Sequence, residues 1–372
     1  MTHLDENLII DKVWEFGTKN ILDDNKYTID KKNLRSLRKK AADLGLTRIE
    51  IPKNQGGLGF DFKTRSKIFG ILSTFDFGFS MSIVNTHSAA LRLSQSAPPQ
   101  IIDYFFPKIH EGGESACTAM SEKEFGSDFF SIETTAMKHK NDWKINGQKE
   151  WIVNARHAKL AIVFVQTKSV GDKNGIAGFA VNLNDANAKR FEINSSYSQN
   201  SMGTGGFVLK NYIAKSDDMI LPPGVAYKAI LNEINLARVY VGSMCCHMLQ
   251  HLLEITKDYG NKRTSFGKKL FTHQSWRFAI ADAEVDLTAA KLMVEEAEKQ
   301  AAEQKDSQLS AAKAKIFATN VCQKHFPILL HKMGAAGFHN QYPFSQYIPA
   351  VQMASLMDGS TEMLLERVSR QS

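Results

Sequence analysis

The sequence predicts an α+β protein in three parts: an N-terminal helical domain, a central β-barrel-like domain and a C-terminal four-helix bundle. Three observations carry this. Apolar residues recur at helical spacing through residues 1–114, strand-like runs occupy 115–218, and long amphipathic patterns return over 219–372. A chain of 372 residues is also too long for one ordinary core and suits two or three domains.

In the first part, Leu37, Ala41, Ala42 and Leu44 share a helical face, and Gly45 is placed to end that helix. The loop Ile51-Pro52-Lys53-Asn54-Gln55-Gly56-Gly57-Leu58-Gly59 is rich in turn formers. Helices are predicted over 63–74, 80–94 and 101–110, with Pro98-Pro99 between the last two. In the second part, Asn146-Gly147 lies between Trp143-Lys144-Ile145 and Trp151-Ile152-Val153, which predicts a tight hairpin. Strands are predicted over 160–166 and 176–182, joined through a turn at 171–175. In the third part, helices are predicted over 238–261, 273–303 and 311–331, the last running through Pro327. Leu287, Ala290, Val294 and Ala297 give the second of these its apolar face, and the short connections imply an antiparallel bundle.

Composition excludes several classes. A hydrophobic content of 43% with 23% charged residues is that of a soluble globular chain, and no uncharged run is long enough to span a bilayer. The polar, acidic start Met1-Thr2-His3-Leu4-Asp5-Glu6 argues against a secretory signal. Cys117, Cys245, Cys246 and Cys322 lack metal-ligand spacing and read as reduced core residues, the usage of a cytoplasmic protein. The net charge of +7 is spread along the chain without a nucleic-acid motif, so it reads as a solvated lysine-rich surface.

The chemistry concentrates near the end of the chain. Asp358 stands between the apolar run 351–357 and Gly359, ahead of a helix-like segment from Thr361. A carboxylate beside an apolar wall has its pKa raised by desolvation, which suits a general base. The competing reading is a helix cap, since Asp and Ser are the usual cap residues.

Four local motifs, in this order and on these elements, resemble the acyl-CoA dehydrogenase family of flavoproteins over nearly the whole chain. Pro52-x-x-x-Gly56-Gly57-x-Gly59 is similar to the family's early glycine loop. Met120-Ser121-Glu122-x-x-x-Gly126-Ser127-Asp128 resembles its Thr-Glu-Pro-x-x-Gly-Ser-Asp segment, which lines flavin and substrate. Asn146-Gly147-x-Lys149-x-Trp151-Ile152-Val153-Asn154 resembles the hairpin whose tryptophan packs on the isoalloxazine. Arg263-x-x-Phe266-Gly267-Lys268 with Gln274 resembles the pattern that holds the pyrophosphate and adenine side of FAD.

The resemblance implies FAD as cofactor and α,β-dehydrogenation of an acyl thioester, the base removing the α-proton and flavin N5 accepting hydride. It places Met120, Ser121, Ser127, Trp151 and Val153 at the cofactor, together with Arg263, Phe266 and Gln274. His331, Gly334, Ala335, Ser360 and Glu362 complete that set, with the 334–337 segment reaching the FAD of a neighbouring subunit. Ser127, Arg238 and Gly359 are placed at the substrate, and Asp358 at the base position before a Gly-Ser step. The family's other base position, before an arginine, is Ala237 here.

Implied partners are acyl-CoA or an acyl carrier protein, an electron-transferring flavoprotein or oxygen as acceptor, and further copies of the chain in a homodimer or homotetramer. The departures also bear on function. Aspartate is about 1.5 Å shorter than the usual glutamate. Val153 replaces a threonine, His331 replaces a glutamine, Gly334-Ala335-Ala336-Gly337 is less glycine-rich than its counterpart, and Ala350-Val351-Gln352 replaces Arg-Asp-Ala. Nitroalkane oxidases of the same superfamily use aspartate at this position, and related flavin monooxygenases use oxygen, but Leu365 stands where the nitroalkane oxidases' arginine is expected. The third alternative is a non-catalytic FAD-binding relative that serves as an interaction protein, with DNA a candidate partner, which the scattered basic charge disfavours.

Overall fold

The computed structural model describes residues 3–22, 27, 29, 31–193 and 200–371, so Met1 and Thr2 of the acidic start lie outside it. Five helices come first: α1 His3–Phe16, α2 Leu34–Asp43, α3 Phe62–Ser73, α4 Phe77–Ser96 and α5 Pro99–Phe106. Eight strands follow: β1 Ala116–Ala119, β2 Thr135–His139, β3 Asp142–Ile152, β4 Leu160–Gln166, β5 Ile176–Asn182, β6 Ala188–Glu192, β7 Gly205–Ala214 and β8 Met219–Leu221. Then come α6 Ala226–Lys262, a small hairpin of β9 Thr264–Ser265 and β10 Lys268–Lys269, α7 Gln274–Ala302, α8 Gln308–Met333, α9 Phe344–Leu356 and α10 Thr361–Ser369.

The chain packs as two compact units. One comprises Met1–Ile29, Asp61–Phe77 and Ile234–Ser372, and the other Asp30–Phe60 and Gly78–Glu233. In the first, helical unit the predicted stripe Leu287, Ala290, Val294 and Ala297 of α7 is buried. From Ala311 to Cys322 of α8 the buried positions are mostly small, Ala314 and Ala318 among them, which permits close approach of neighbouring helices. The helix continues past Pro327, as the sequence predicts. Its Phe326 ring meets that of Tyr347 from α9 at a centroid distance of 5.8 Å, and the Tyr347 hydroxyl donates to the Thr74 carbonyl at 2.5 Å.

In the second unit the strands run in the order β6-β7-β3-β2-β4-β5-β8, with β1 lying parallel to β4. Ile145, Val163, Val165, Phe179, Phe207 and Leu209 are among the buried core of this sheet. Strands β4 and β5 have the predicted bounds.

The predicted hairpin at Asn146-Gly147 is not there. Strand β3 runs straight through it, and the turn falls earlier, between the paired residues His139 and Asp142. Asn146-Gly147 instead makes a bulge against β7, where the register shifts between Ile145 and Gly147. Gly147 takes φ 153°, a Cβ there would stand 2.6 Å from the Thr134 Cα, and the Asn146 side-chain oxygen accepts from the Asn211 N–H at 2.7 Å. The conformational freedom that makes Asn-Gly a turn former serves a bulge equally well. The polar run Asn85-Thr86-His87 sits mid-helix in α4, with Thr86 and His87 buried. His87 lies between the Thr47 carbonyl and the Glu50 carboxylate, so this run holds the unit together. All four cysteines are buried and free, and no described helix is long and apolar enough to cross a membrane.

Candidate active site

In the β unit, strand β3 shifts register a second time between Lys149 and Ile152. The irregularity lets Trp151 take φ 61° and leaves its side chain 56% exposed. A left-handed backbone under a bulky side chain costs of order 1–3 kcal/mol and collects at functional sites. Two residues earlier, Lys149 points the other way and is fully buried. Its Nζ donates to the Met120 carbonyl and to a Glu122 carboxylate oxygen, both at 2.8 Å. Glu122 also accepts from the N–H groups of Glu133 at 2.7 Å and Thr134 at 3.0 Å.

Burial pushes the Lys149 ammonium down to about 8, opposed by Glu122. Desolvation works to raise the Glu122 carboxyl, but the charge and hydrogen bond of Lys149 outweigh it and hold it low. The Glu150 N–H donates to the Ser121 carbonyl at 3.1 Å. The strand bearing Trp151 is thus fastened to the Met120-Ser121 segment, both of whose residues are partly buried. Ser127 is exposed farther along that segment, and Val153 is partly buried. Asn154, at φ 69°, closes the end of the strand by donating to the carbonyls of Ser82 at 2.7 Å and Ala116 at 2.9 Å.

In the helical unit, strands β9 and β10 are joined by the two-residue turn Phe266-Gly267, both with positive φ. Asparagine and glycine normally occupy such a turn. Phe266 holds it at φ 52° with its side chain 94% exposed. Arg263 precedes this hairpin and Gln274 opens α7 behind it, both exposed. His331 is exposed in the last turn of α8, and Gly334 ends that helix at φ 61° and ψ −145°, a conformation essentially reserved for glycine. Ala335 follows, also exposed.

Between α9 and α10 the chain turns sharply. Asp358 is at φ 54° and Gly359 at φ 100°. Ser360 is the residue that caps α10, accepting the Met363 N–H, so the cap role is taken and the partly buried Asp358 carboxylate is not its occupant. Among the described residues no hydrogen bond reaches that carboxylate. Desolvation raises its pKa above the usual aspartate value, with Lys315 and Arg238 pulling the other way. Arg238, buried on α6, donates from Nε to the Asp358 carbonyl at 2.8 Å and from Nη1 to Asn235 Oδ1 at 2.7 Å. Glu362 is exposed in the first turn of α10, its carboxyl held low by its own backbone N–H and the Ser360 hydroxyl.

The helical unit therefore brings Arg238, Asp358, Gly359 and Ser360 together, and the β unit brings Met120, Ser121 and Trp151 together. Two lysines secure these groups, and the motifs give neither a role, although Lys149 stands within one of them. Lys149 falls in phase with buried Ile145 along the strand, and Lys315 interrupts the small-residue stripe of α8. A charge on an apolar face is the signal that finds both.

Three domain descriptions of one family match in chain order. The N-terminal domain of acyl-CoA dehydrogenase matches residues 4–113, its middle domain 117–212 and its C-terminal domain 227–372. The chain belongs to the acyl-CoA dehydrogenase family. Members of this family are FAD-dependent oxidoreductases. The mitochondrial short-chain specific acyl-CoA dehydrogenase of Rattus norvegicus is 24% identical over 342 residues, 90% of this chain and 82% of that one. Butyryl-CoA dehydrogenase from Megasphaera elsdenii superposes with a TM-score of 0.91 at 21% identity, over 100% of this chain and 98% of that one. The prolyl acyl carrier protein oxidase AnaB superposes with a TM-score of 0.89 at 17% identity, over 100% and 99%. The acyl-CoA dehydrogenase fold is thus shared in full, and the low identities mark a divergent member.

Proposed function

We propose that the chain binds FAD and dehydrogenates an acyl thioester between its α and β carbons, with Asp358 taking the α-proton. The observation that carries this reading is the Asp358 turn. A carboxylate with a raised pKa stands on a left-handed backbone, unneeded as a cap and free of hydrogen bonds to the described residues. Raising a carboxyl toward the working pH is what makes it an effective base.

The residues present fit FAD. Trp151 and Phe266 are aromatic side chains left largely exposed on left-handed backbone, and a flavin or adenine ring supplies an apolar contact for them. Arg263 supplies a cation for the diphosphate and Gln274 a side-chain amide beside it. Met120, Ser121, Ser127 and Val153 accompany Trp151 at the cofactor. Within the helical unit, His331, Gly334, Ala335, Ser360 and Glu362 are assigned to FAD. When bound, FAD supplies the acceptor for the hydride that leaves the β-carbon. Arg238 orients the turn from behind, and Gly359 and Ser127 line the substrate.

The acyl group is carried on CoA or on the phosphopantetheine arm of a carrier protein, which share the thioester. The electron acceptor is an electron-transferring flavoprotein or oxygen. The chain divides near residues 114 and 218, and assembles as a homodimer or homotetramer through its C-terminal helices. The test is stopped-flow absorbance of the flavin-loaded protein mixed with acyl-CoA, then with acyl-carrier protein, then with nitroalkanes. Bleaching by either thioester alone supports the proposal. Bleaching by nitroalkanes alone replaces it with the oxidase reading, and a protein that takes up no FAD contradicts it outright.

A further inference from the structure

Lys315 is a lysine where the packing asks for alanine. It lies in α8 among Ala311, Ala314 and Ala318, and its side chain is almost wholly buried. No carboxylate is hydrogen-bonded to it among the described residues. Its Nζ donates instead to three backbone carbonyls, those of Ser355 at 3.3 Å, Gly359 at 2.6 Å and Met357. Two of these flank Asp358 directly, and Ser355 belongs to the last turn of α9, where unpaired carbonyls gather and the helix dipole favours a cation. An ammonium has three donors, and all three are used.

We propose that Lys315 is a positioning residue for Asp358: it fastens the chain on both sides of the carboxylate and fixes where that carboxylate stands. This inference rests on Asp358 being the base. A two-residue left-handed step has no helix or ladder bonds to hold it, so its direction depends on what grips its carbonyls. Arg238 grips the Asp358 carbonyl from α6, and Lys315 grips the neighbouring carbonyls from α8. The turn is clamped from two helices by two cations, while the side chain between them is left open.

The clamp also sets the field at the carboxylate. The charged groups that face Asp358 are Lys315 and Arg238. Those that face Lys315 are Asp358, Arg238 and the Cys245 thiol, and Arg367 of α10 acts on Arg238. Burial pulls the Lys315 ammonium down to about 8, with Asp358 holding it up. Removing this cation removes one of the two charges that favour ionised Asp358, so its pKa rises further. A lysine that only filled space in α8 would affect folding without changing exchange at the turn and that titration together.

The experiment compares flavin-loaded wild type, Lys315→Met, Lys315→Arg and Lys315→Gln with Lys313→Met, an exposed lysine on the same helix. Amide hydrogen exchange by mass spectrometry reads the 353–363 segment. Infrared difference titration, with Asp358→Asn subtracted, reads the carboxyl. In Lys315→Met, exchange across the turn is expected to rise about tenfold or more, and the carboxyl is expected to titrate at higher pH. Lys315→Arg keeps the charge and is expected to titrate as wild type, and Lys313→Met to match wild type in both. Unchanged exchange and unchanged titration in Lys315→Met would overturn the proposal. Should Lys315→Met fail to fold, Gln against Arg decides. A higher carboxyl pKa in Gln supports the proposal and equal values overturn it. Neither readout uses turnover, so they stand apart from the test of Asp358 as base, which is flavin reduction in Asp358→Asn.

Discussion

Asp358 is costly to the fold where it stands. Its carboxyl is desolvated, its pKa is raised from 3.8, and its backbone is left-handed. Aspartate tolerates that conformation better than most residues, which separates it from glutamate at this turn. The sign of the pH dependence follows from the shift. A raised folded-state pKa favours the protonated form in the fold, so this contribution to stability is full below 3.8 and is lost as pH rises through the folded value. Activity runs the opposite way, because only the ionised carboxylate accepts a proton. The rate of flavin reduction is therefore predicted to climb with pH through an apparent pKa above the ordinary aspartate value, and a profile whose inflection lies at or below that value would contradict this. Asp358→Asn is predicted to unfold at the same temperature as wild type or a higher one at neutral pH, since no charge is then buried. The sequence shows the acid, the apolar run before it and the glycine after it. It does not show that Ser360 takes the cap, a matter of which side chain reaches the Met363 N–H.

At the scale of single elements, the helices were the most legible part. Their periodicity repeats over many turns, so α7 and α8 start and stop within a few residues of their predicted limits. Strand β3 was harder. Asn-Gly permits either a turn or a bulge, and only the pairing with β7 decides between them. Its buried Lys149 is a second consequence of that pairing. Lys149→Met leaves Glu122 buried without its cation, which is predicted to cost about 3–5 kcal/mol in denaturant unfolding. It should also loosen FAD, because Met120 loses its side-chain tie to the strand of Trp151 and only the backbone bond from Glu150 to Ser121 remains. A variant as stable as wild type would show that Glu122 is satisfied by its two backbone N–H partners alone. The Phe266-Gly267 turn offers the opposite test. Asparagine suits the first position of such a turn, so Phe266→Asn should gain about 1 kcal/mol or lose nothing, yet retain FAD less well through gel filtration. Undiminished retention would remove Phe266 from the cofactor.

For the whole molecule, the order helices, strands, helices was visible from changes of period alone, and the motifs then pointed to one family, which the matched domains bear out. How the first helices are shared between two compact units was not visible, because α1 and α3 join one and α2 and α5 the other through contacts distant in sequence. Phe278, Val285 and Leu292 recur every seven residues on α7 and are all exposed. A row of exposed apolar side chains of that kind suits a contact with a second copy. Light scattering is predicted to give a dimer or tetramer, and Val285→Glu with Leu292→Glu a smaller mass; a wild-type monomer at all concentrations would contradict the assembly. The central claim is that Asp358 removes the α-proton of an acyl thioester, and the most direct measurement is stopped-flow flavin reduction by that thioester in Asp358→Asn. The near-isosteric amide should leave the protein folded and FAD bound while the rate falls by about a hundredfold or more. Reduction at the wild-type rate would place the base elsewhere and leave Asp358 as a turn residue.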